Sequence, residues 1–171
     1  MAAGERRYAR RGRGGARFLM LVAALCVSGH VFSAFGGKLA ASVIAIAQAK
    51  AGLSFGDAFV RGILCNFLVC IAVWMANAAG TVGGKIAAVF FPIMAFVVAG
   101  FEHSVANMYY LAAGLFTAGQ TGAAAEGLTW GRALIGNLLP VTLGNLVGGG
   151  LLVGVSAWYL YLKKERNGVN S

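Results

Sequence analysis

The sequence predicts an all-α membrane protein with about four transmembrane helices, one of them broken at Gly100–Asn107. Three observations carry that prediction. The chain has 171 residues, of which 59% are hydrophobic and only 11% charged, whereas a soluble domain carries about 25% charged residues. Mean hydropathy is +0.77, and the apolar residues fall into four long regions rather than short amphipathic stretches. Glycine is abundant at 26 residues against 2 prolines, which suits helices that approach closely in lipid.

Residues 1–17 form a basic tail holding Arg6, Arg7, Arg10, Arg11, Arg13 and Arg17. Such a cluster can bind nucleic acid, but beside an apolar run it marks the cytoplasmic side of a membrane segment, so no nucleic-acid partner is expected. Phe18–Phe35 follows, 18 residues long. A bilayer core needs roughly 20 apolar residues, with a range of about 17–25, so this run can span. It also reads as a signal peptide, with a basic start, an apolar middle and the small residues of "FSAFGG". Within it, Cys26 and His30 are four apart and can share a helix face as metal ligands. A buried cysteine acting as a small hydrophobe is the plainer reading, and no metal is expected. The three cysteines, Cys26, Cys65 and Cys70, form no CxxC pair and no disulfide framework.

Gly36–Arg61 is a connection, and its "LAASVIAIAQAK", ending at Lys50, reads as a short interfacial helix. The second span is Gly62–Ala79, uncharged, with Asn66 polar near one end and Trp74 towards the other. The third region, Ile86–Phe116, is apolar at both ends but carries Glu102, His103, Ser104 and Asn107 near its centre. Polar residues there suggest two half-helices joined by an unwound turn, with Gly100 as hinge and Pro92 bending the first half. Non-helical backbone at that depth is tolerated only where protein or a cavity surrounds it. The fourth span is Ala133–Leu162, where Gly144/Gly148 and Gly150/Gly154 form two GxxxG pairs suited to helix packing. Residues 163–171 close the chain as a second basic tail.

An ionised side chain at the bilayer centre costs about 2.5–3.5 kcal/mol on insertion scales. Glu102 and His103 therefore need a partner, a water-filled cavity or neutralisation. Intramembrane ionisable residues mark proton relays and ion pathways; a polar knot that only ties helices together is the alternative. With an unperturbed pKa of about 6.5, histidine can exchange a proton near neutral pH. Ser104 and Asn107 can orient the ring by hydrogen bonding. Lys50 suggests anion attraction, although a lone interfacial lysine is more often simply solvated. There is no nucleophile constellation and no cofactor loop, so no enzyme activity and no cofactor are expected.

The segments "RGILCNFLVCIAVWMA", "KIAAVFFPIMAFVVAGFEHSVANMY" and "LLPVTLGNLVGGGLL" together resemble the formate/nitrite transporter family, over about Gly37 to Lys164. The blocks Gly62–Met75 and Gly100–Met108 are the specific part of the match. The resemblance implies an aquaporin-like helical bundle assembled as a homopentamer in the inner (plasma) membrane, with one pore per protomer. It implies two inversely related three-helix halves with broken second and fifth helices. The four spans here would be the family's third to sixth, and counterparts of its first two helices are missing from this chain. The family's pore histidine falls on His103, its vestibule lysine on Lys50, its pore asparagines on Asn66 and Asn107, and its outer apolar constriction on Val69 and Phe96; Glu102 accompanies the histidine. The implied function is transport of a small monovalent anion such as formate or nitrite across the lipid bilayer, coupled to or gated by protonation at His103. The competing reading is a truncated, non-transporting membrane protein that only joins full-length subunits.

Four spans place both termini on one side. The two tails and the Asn77–Lys85 loop carry ten basic residues, and the opposite side carries Lys38, Lys50, Arg61 and Arg132. The positive-inside rule then puts both ends in the cytoplasm. Reporter fusions after Arg166 and within Gly119–Gly127 are expected to report opposite sides; the same side for both would overturn the four-span topology.

Overall fold

This computed structural model describes residues 37–162. The expected span Phe18–Phe35, both basic tails, Cys26 and His30 lie outside the described residues. Within them the chain is helical: α1, Lys38–Ala51; α2, Phe55–Ala78; α3, Val82–Val98; α4, Ser104–Thr121; and α5, Arg132–Leu160. They fall into two compact units. One holds α1 with Asn107–Ala133, and the other holds Leu53–Ala106 together with the chain from Leu134.

Local chemistry sets the helix ends. α2 starts seven residues before the expected span because Ser54 caps it. Its hydroxyl accepts the Asp57 N–H at 3.1 Å and donates to the Asp57 carboxylate at 2.7 Å, a side-chain cap that satisfies a main-chain donor at a helix start. Asp57 and Arg61 therefore lie inside the helix rather than in a lead-in loop. Thr81 caps α3 in the same way through the Gly84 N–H at 3.1 Å, which moves that start from Ile86 to Val82. α3 runs through Pro92. α5 is wider-wound over Arg132–Leu138 and Leu146–Gly154.

At 24 and 29 residues, α2 and α5 are about 36 and 43 Å long at 1.5 Å per residue, enough for a hydrocarbon core of about 30 Å. Only 22% and 28% of their most apolar windows are buried, unlike the core helix of a soluble protein. Their exposed residues include Leu64, Phe67, Val73, Leu146 and Leu151. Apolar surface this extensive marks a face covered by lipid or by other protein. α3 and α4, at 17 and 18 residues, lie at the short end of the range of about 17–25 residues with which a helix spans.

The larger unit is held together by small residues. α2 packs against both α3 and α5, burying the stripe Ala58, Gly62, Cys65 and Ala72. On α5, Gly144 and Gly148 meet it backbone to backbone. A Cβ at Gly144 would strike the Phe59 carbonyl, and one at Gly148 the Ile63 carbonyl. The first GxxxG pair is thus a packing face, as expected. The second pair makes no such contact among the described residues: Gly150 meets nothing within 4 Å there, and Gly154 meets only the Gly149 carbonyl of its own helix, at 3.7 Å. Gly149 instead faces Asn66 and Cys70 of α2. In the smaller unit, α1 buries Ala40, Ile44, Ala47 and Ala51. Gly114 of α4 lies so close to Ala47 that a Cβ there would collide with it.

Overpacking a tight contact costs about 1–3 kcal/mol. Gly148→Val is expected to lower thermal stability in detergent by an amount of that order, and Gly150→Val to change it by less than about 0.5 kcal/mol. Equal melting of the two variants would contradict the packing assignment.

Candidate functional site

The interruption between α3 and α4 occupies residues 99–103, beginning one residue before the expected interval Gly100–Asn107, and the helix resumes at Ser104 rather than after Asn107. Gly100 is the hinge, with φ +67°, a backbone conformation that glycine adopts without strain. The Gly100 N–H donates to the Val97 carbonyl at 3.1 Å, and the Phe101 N–H to the Phe96 carbonyl at 3.0 Å. These two bonds are the Schellman ending of a helix, which explains why "VVAGF" stops α3 where it does.

The remaining polar groups of the break are met by neighbouring helices. The Glu102 N–H donates to the Arg61 carbonyl at 3.4 Å, and the Arg61 guanidinium reaches the Gly100 carbonyl at 3.5 Å. Asn145 of α5 does the most. Its Oδ1 accepts from the Ser104 N–H and from the Ser104 hydroxyl, both at 3.1 Å. Its Nδ2 donates to the carbonyls of Gly62 at 2.8 Å and Glu102 at 3.1 Å. An amide side chain has two donor hydrogens and two acceptor lone pairs, and all four are used. One buried residue, 6% exposed, therefore caps the start of α4 and ties the break to α2. Asn66 completes the set by donating to the Asn145 main-chain carbonyl at 2.6 Å.

His103 is the last residue before α4 and is half-buried. Its ring stacks on Phe96 with centroids 6.2 Å apart and planes 29° apart. Glu102 is 4% exposed. Four of the residues expected at the site are thus brought together: Glu102 and His103 in the break, Phe96 against the imidazole, and Asn66 through Asn145. Val69 lies three residues beyond Asn66 on α2, close to the same helix face, and is half-buried. Lys50 and Asn107 belong to the other unit. Lys50 is half-buried in the last turn of α1, and Asn107 is fully buried on α4.

Sequence reasoning missed Asn145 and assigned Arg61 only a place in the charge count. Asn145 was detectable by the same signal that singled out Glu102, a polar residue inside a long apolar span. It lay within a glycine-rich run read for packing alone. Among the described residues no group of three or more metal-ligating side chains occurs.

The formate/nitrite transporter family model matches residues 16–159. A probable formate transporter of Methanothermobacter thermautotrophicus is 46% identical over 131 residues, covering 77% of this chain and 44% of that protein. The formate channel FocA of Escherichia coli K12 is 36% identical over 160 residues, covering 86% of this chain and 55% of that one. A solved pentameric formate channel with formate bound superposes with a TM-score of 0.73 at 34% identity, covering 87% of this chain and 61% of that chain. The chain therefore spans about half the length of the curated relatives it matches. These relatives are transporters and channels, their fold is that of a helical membrane channel, and the chain belongs to the formate/nitrite transporter family.

Proposed function

We propose that this protein serves the transport of small monovalent anions of the formate/nitrite class, with His103 as the titratable group on the substrate path. The observation that carries the reading is His103 itself. It sits at a helix break whose backbone is fixed by Asn145, and its ring lies against Phe96. Relatives that match the chain over most of its length are formate channels, and one of them is pentameric with formate bound. That supports formate as the first substrate to test and a homopentamer as the assembly. The transport domain is residues 18–162, between cytoplasmic basic tails 1–17 and 163–171, in a multi-pass inner membrane protein.

In this reading Lys50 supplies positive charge that draws the anion in. Val69 and Phe96 are the apolar constriction. An anion stripped of water loses several kcal/mol or more of hydration in such a slit, so a charged species passes poorly. Protonated His103 transfers its proton to the carboxylate, giving neutral imidazole and a neutral acid that crosses the slit. Proton and anion then move together, and the imidazole is reprotonated from solution. Asn66, Asn107 and Glu102 are the polar lining around that step. No covalent chemistry is involved, so the reading is not enzymatic.

In liposomes holding the protein, formate uptake is expected to rise as pH falls from about 8 to about 5, the range in which histidine titrates. His103→Asn keeps polarity and approximate size but removes the titratable group, and is expected to flatten that profile while assembly persists. An unchanged profile would make His103 a structural member of the polar knot. His103→Phe should abolish most of the flux. Lys50→Ala should raise the half-saturating formate concentration with less effect at high substrate. Absence of formate uptake by the wild-type protein would overturn the transport reading.

The staple has its own expected outcome. Asn145→Leu leaves the Gly62 and Glu102 carbonyls short of a donor and Ser104 without its acceptor, at about 1–3 kcal/mol for each buried group left unmet. It should lower stability in detergent far more than Asn66→Leu does, measured by thermal unfolding. Equal losses would assign the break to other contacts.

A further inference from the structure

We propose that the outer face of α3 is a binding site for an anionic phospholipid, with Lys85 meeting the headgroup phosphate and an acyl chain lying along the helix. The site lies wholly within the larger unit and does not depend on the transport reading.

α3 packs on α2 and buries Ala88, but most of its large side chains are exposed. Side chains four residues apart form ridges on a helix, with a groove between neighbouring ridges. Here one ridge runs from Val82 through Phe90 to Val98, and the next from Lys85 through Ile93 to Val97. Between them lies an open trough of about 730 Å³, within the range of about 300–1,000 Å³ usual for small-ligand sites. Among the described residues only α3 lines it, and every lining residue except Lys85 is apolar. From Lys85 to Val98 the helix rises about 20 Å. One leaflet, half of a hydrocarbon core of about 30 Å, is about 15 Å deep, so the trough can hold the full depth of an acyl chain.

Charge selects the occupant. Lys85 is exposed and is the fourth residue of α3. A cation there is unfavourable to the helix itself, because the dipole already places partial positive charge at that end. No acidic residue in the first turn offsets it, and α3 contains no Asp or Glu at all. A phosphate would offset both charges, and lysine binds phosphate as a point charge. An anionic head on an apolar tail thus matches a trough with one cation at its end. A zwitterionic head fits less well, since its own cation competes with the ammonium. On the topology that the charge distribution predicts, this end faces the cytoplasm, where anionic lipids attract basic residues near the surface. A second helix is the poorer occupant. Helices meet closely in lipid through small residues, as α5 meets α2 at Gly144 and Gly148, whereas these ridges carry Val, Ile, Phe and Met.

The test places the photoreactive side chain p-benzoylphenylalanine at Phe90, in the middle of the trough. The full chain is reconstituted in vesicles of phosphatidylglycerol and phosphatidylcholine in equal parts, irradiated, and its adducts are identified by mass spectrometry. Phosphatidylglycerol adducts are expected to exceed phosphatidylcholine adducts about five-fold, the size of one lysine acting on an anionic lipid. Lys85→Ala should bring the two lipids within about 1.5-fold of each other, and Lys85→Arg should keep the preference. Lys85→Gln carries the same expectation as Ala and replaces it if Ala lowers the folded yield. The same photoreactive side chain at Leu151, exposed on α5, should capture both lipids equally. Soluble glycerol phosphate should leave the phosphatidylglycerol adduct unchanged. Equal capture of the two lipids at Phe90, a preference that survives Lys85→Ala, or the same preference at Leu151 would each overturn the proposal. So would displacement by glycerol phosphate, which would make this a site for free phosphate. An adduct to a second copy of the chain, or to residues 1–36 of the same chain, in place of lipid would name a different occupant and overturn it as well, as would no adduct at all.

Discussion

A helix interrupted in an apolar environment leaves main-chain donors and acceptors that no lipid tail can satisfy, and the larger unit is organised around meeting that demand. Each unmet group would cost several kcal/mol in hydrocarbon. α3 meets part of it internally, by the Gly100 turn and the two bonds back to Val97 and Phe96. The rest is met from outside by Asn145, whose amide makes four hydrogen bonds to three segments of chain. His103 is held where it is because its neighbours on both sides, Glu102 and Ser104, are bonded to one side chain on another helix.

That arrangement depends on close approach, and close approach depends on small residues. A Cβ on Gly62 would meet the Val141 carbonyl at 2.8 Å and the Asn145 Nδ2 at 3.2 Å. The glycine is therefore as necessary to the staple as the asparagine. Gly144 and Gly148 bring α5 onto the backbone of α2 on either side of Asn145. Packing and polar satisfaction are here one device: the glycines remove the bulk that would keep the amide from reaching the Gly62 and Glu102 carbonyls. Without a hydrophobic drive between helices in lipid, such contacts supply much of the association.

The chemistry available follows from this. A titratable ring at a fixed position, stacked on an aromatic residue and next to a buried carboxyl residue, is the arrangement on which the proposed proton exchange with a small anion rests. Arg61 is committed to the end of α3 through the Gly100 carbonyl, where a cation is favoured by the helix dipole. In the other unit, the Lys50 Nζ lies 5.4 Å from the centroid of the Tyr110 ring.

Much of this was legible in the order of residues. Composition and four apolar regions determined a helical membrane protein, and the Glu102–His103–Ser104 cluster located the break, because ionisable residues in a span have few other reasons to be there. The motif blocks Gly62–Met75 and Gly100–Met108 determined the family and, residue by residue, the candidates at the site. Helix starts were less legible: Ser54 and Thr81 moved two of them outward, since a cap acts through main-chain geometry that an apolar count does not register. What only the tertiary structure decided is which polar residues meet. Asn145 is 41 residues from Ser104 and 83 from Gly62, so nothing local marks it as their shared partner. Among the described residues Gly144 and Gly148 have a neighbouring helix and Gly150 and Gly154 have none, although both pairs have the same spacing. Spacing along one helix fixes which residues share a face, but only the path of the other helices fixes what that face meets.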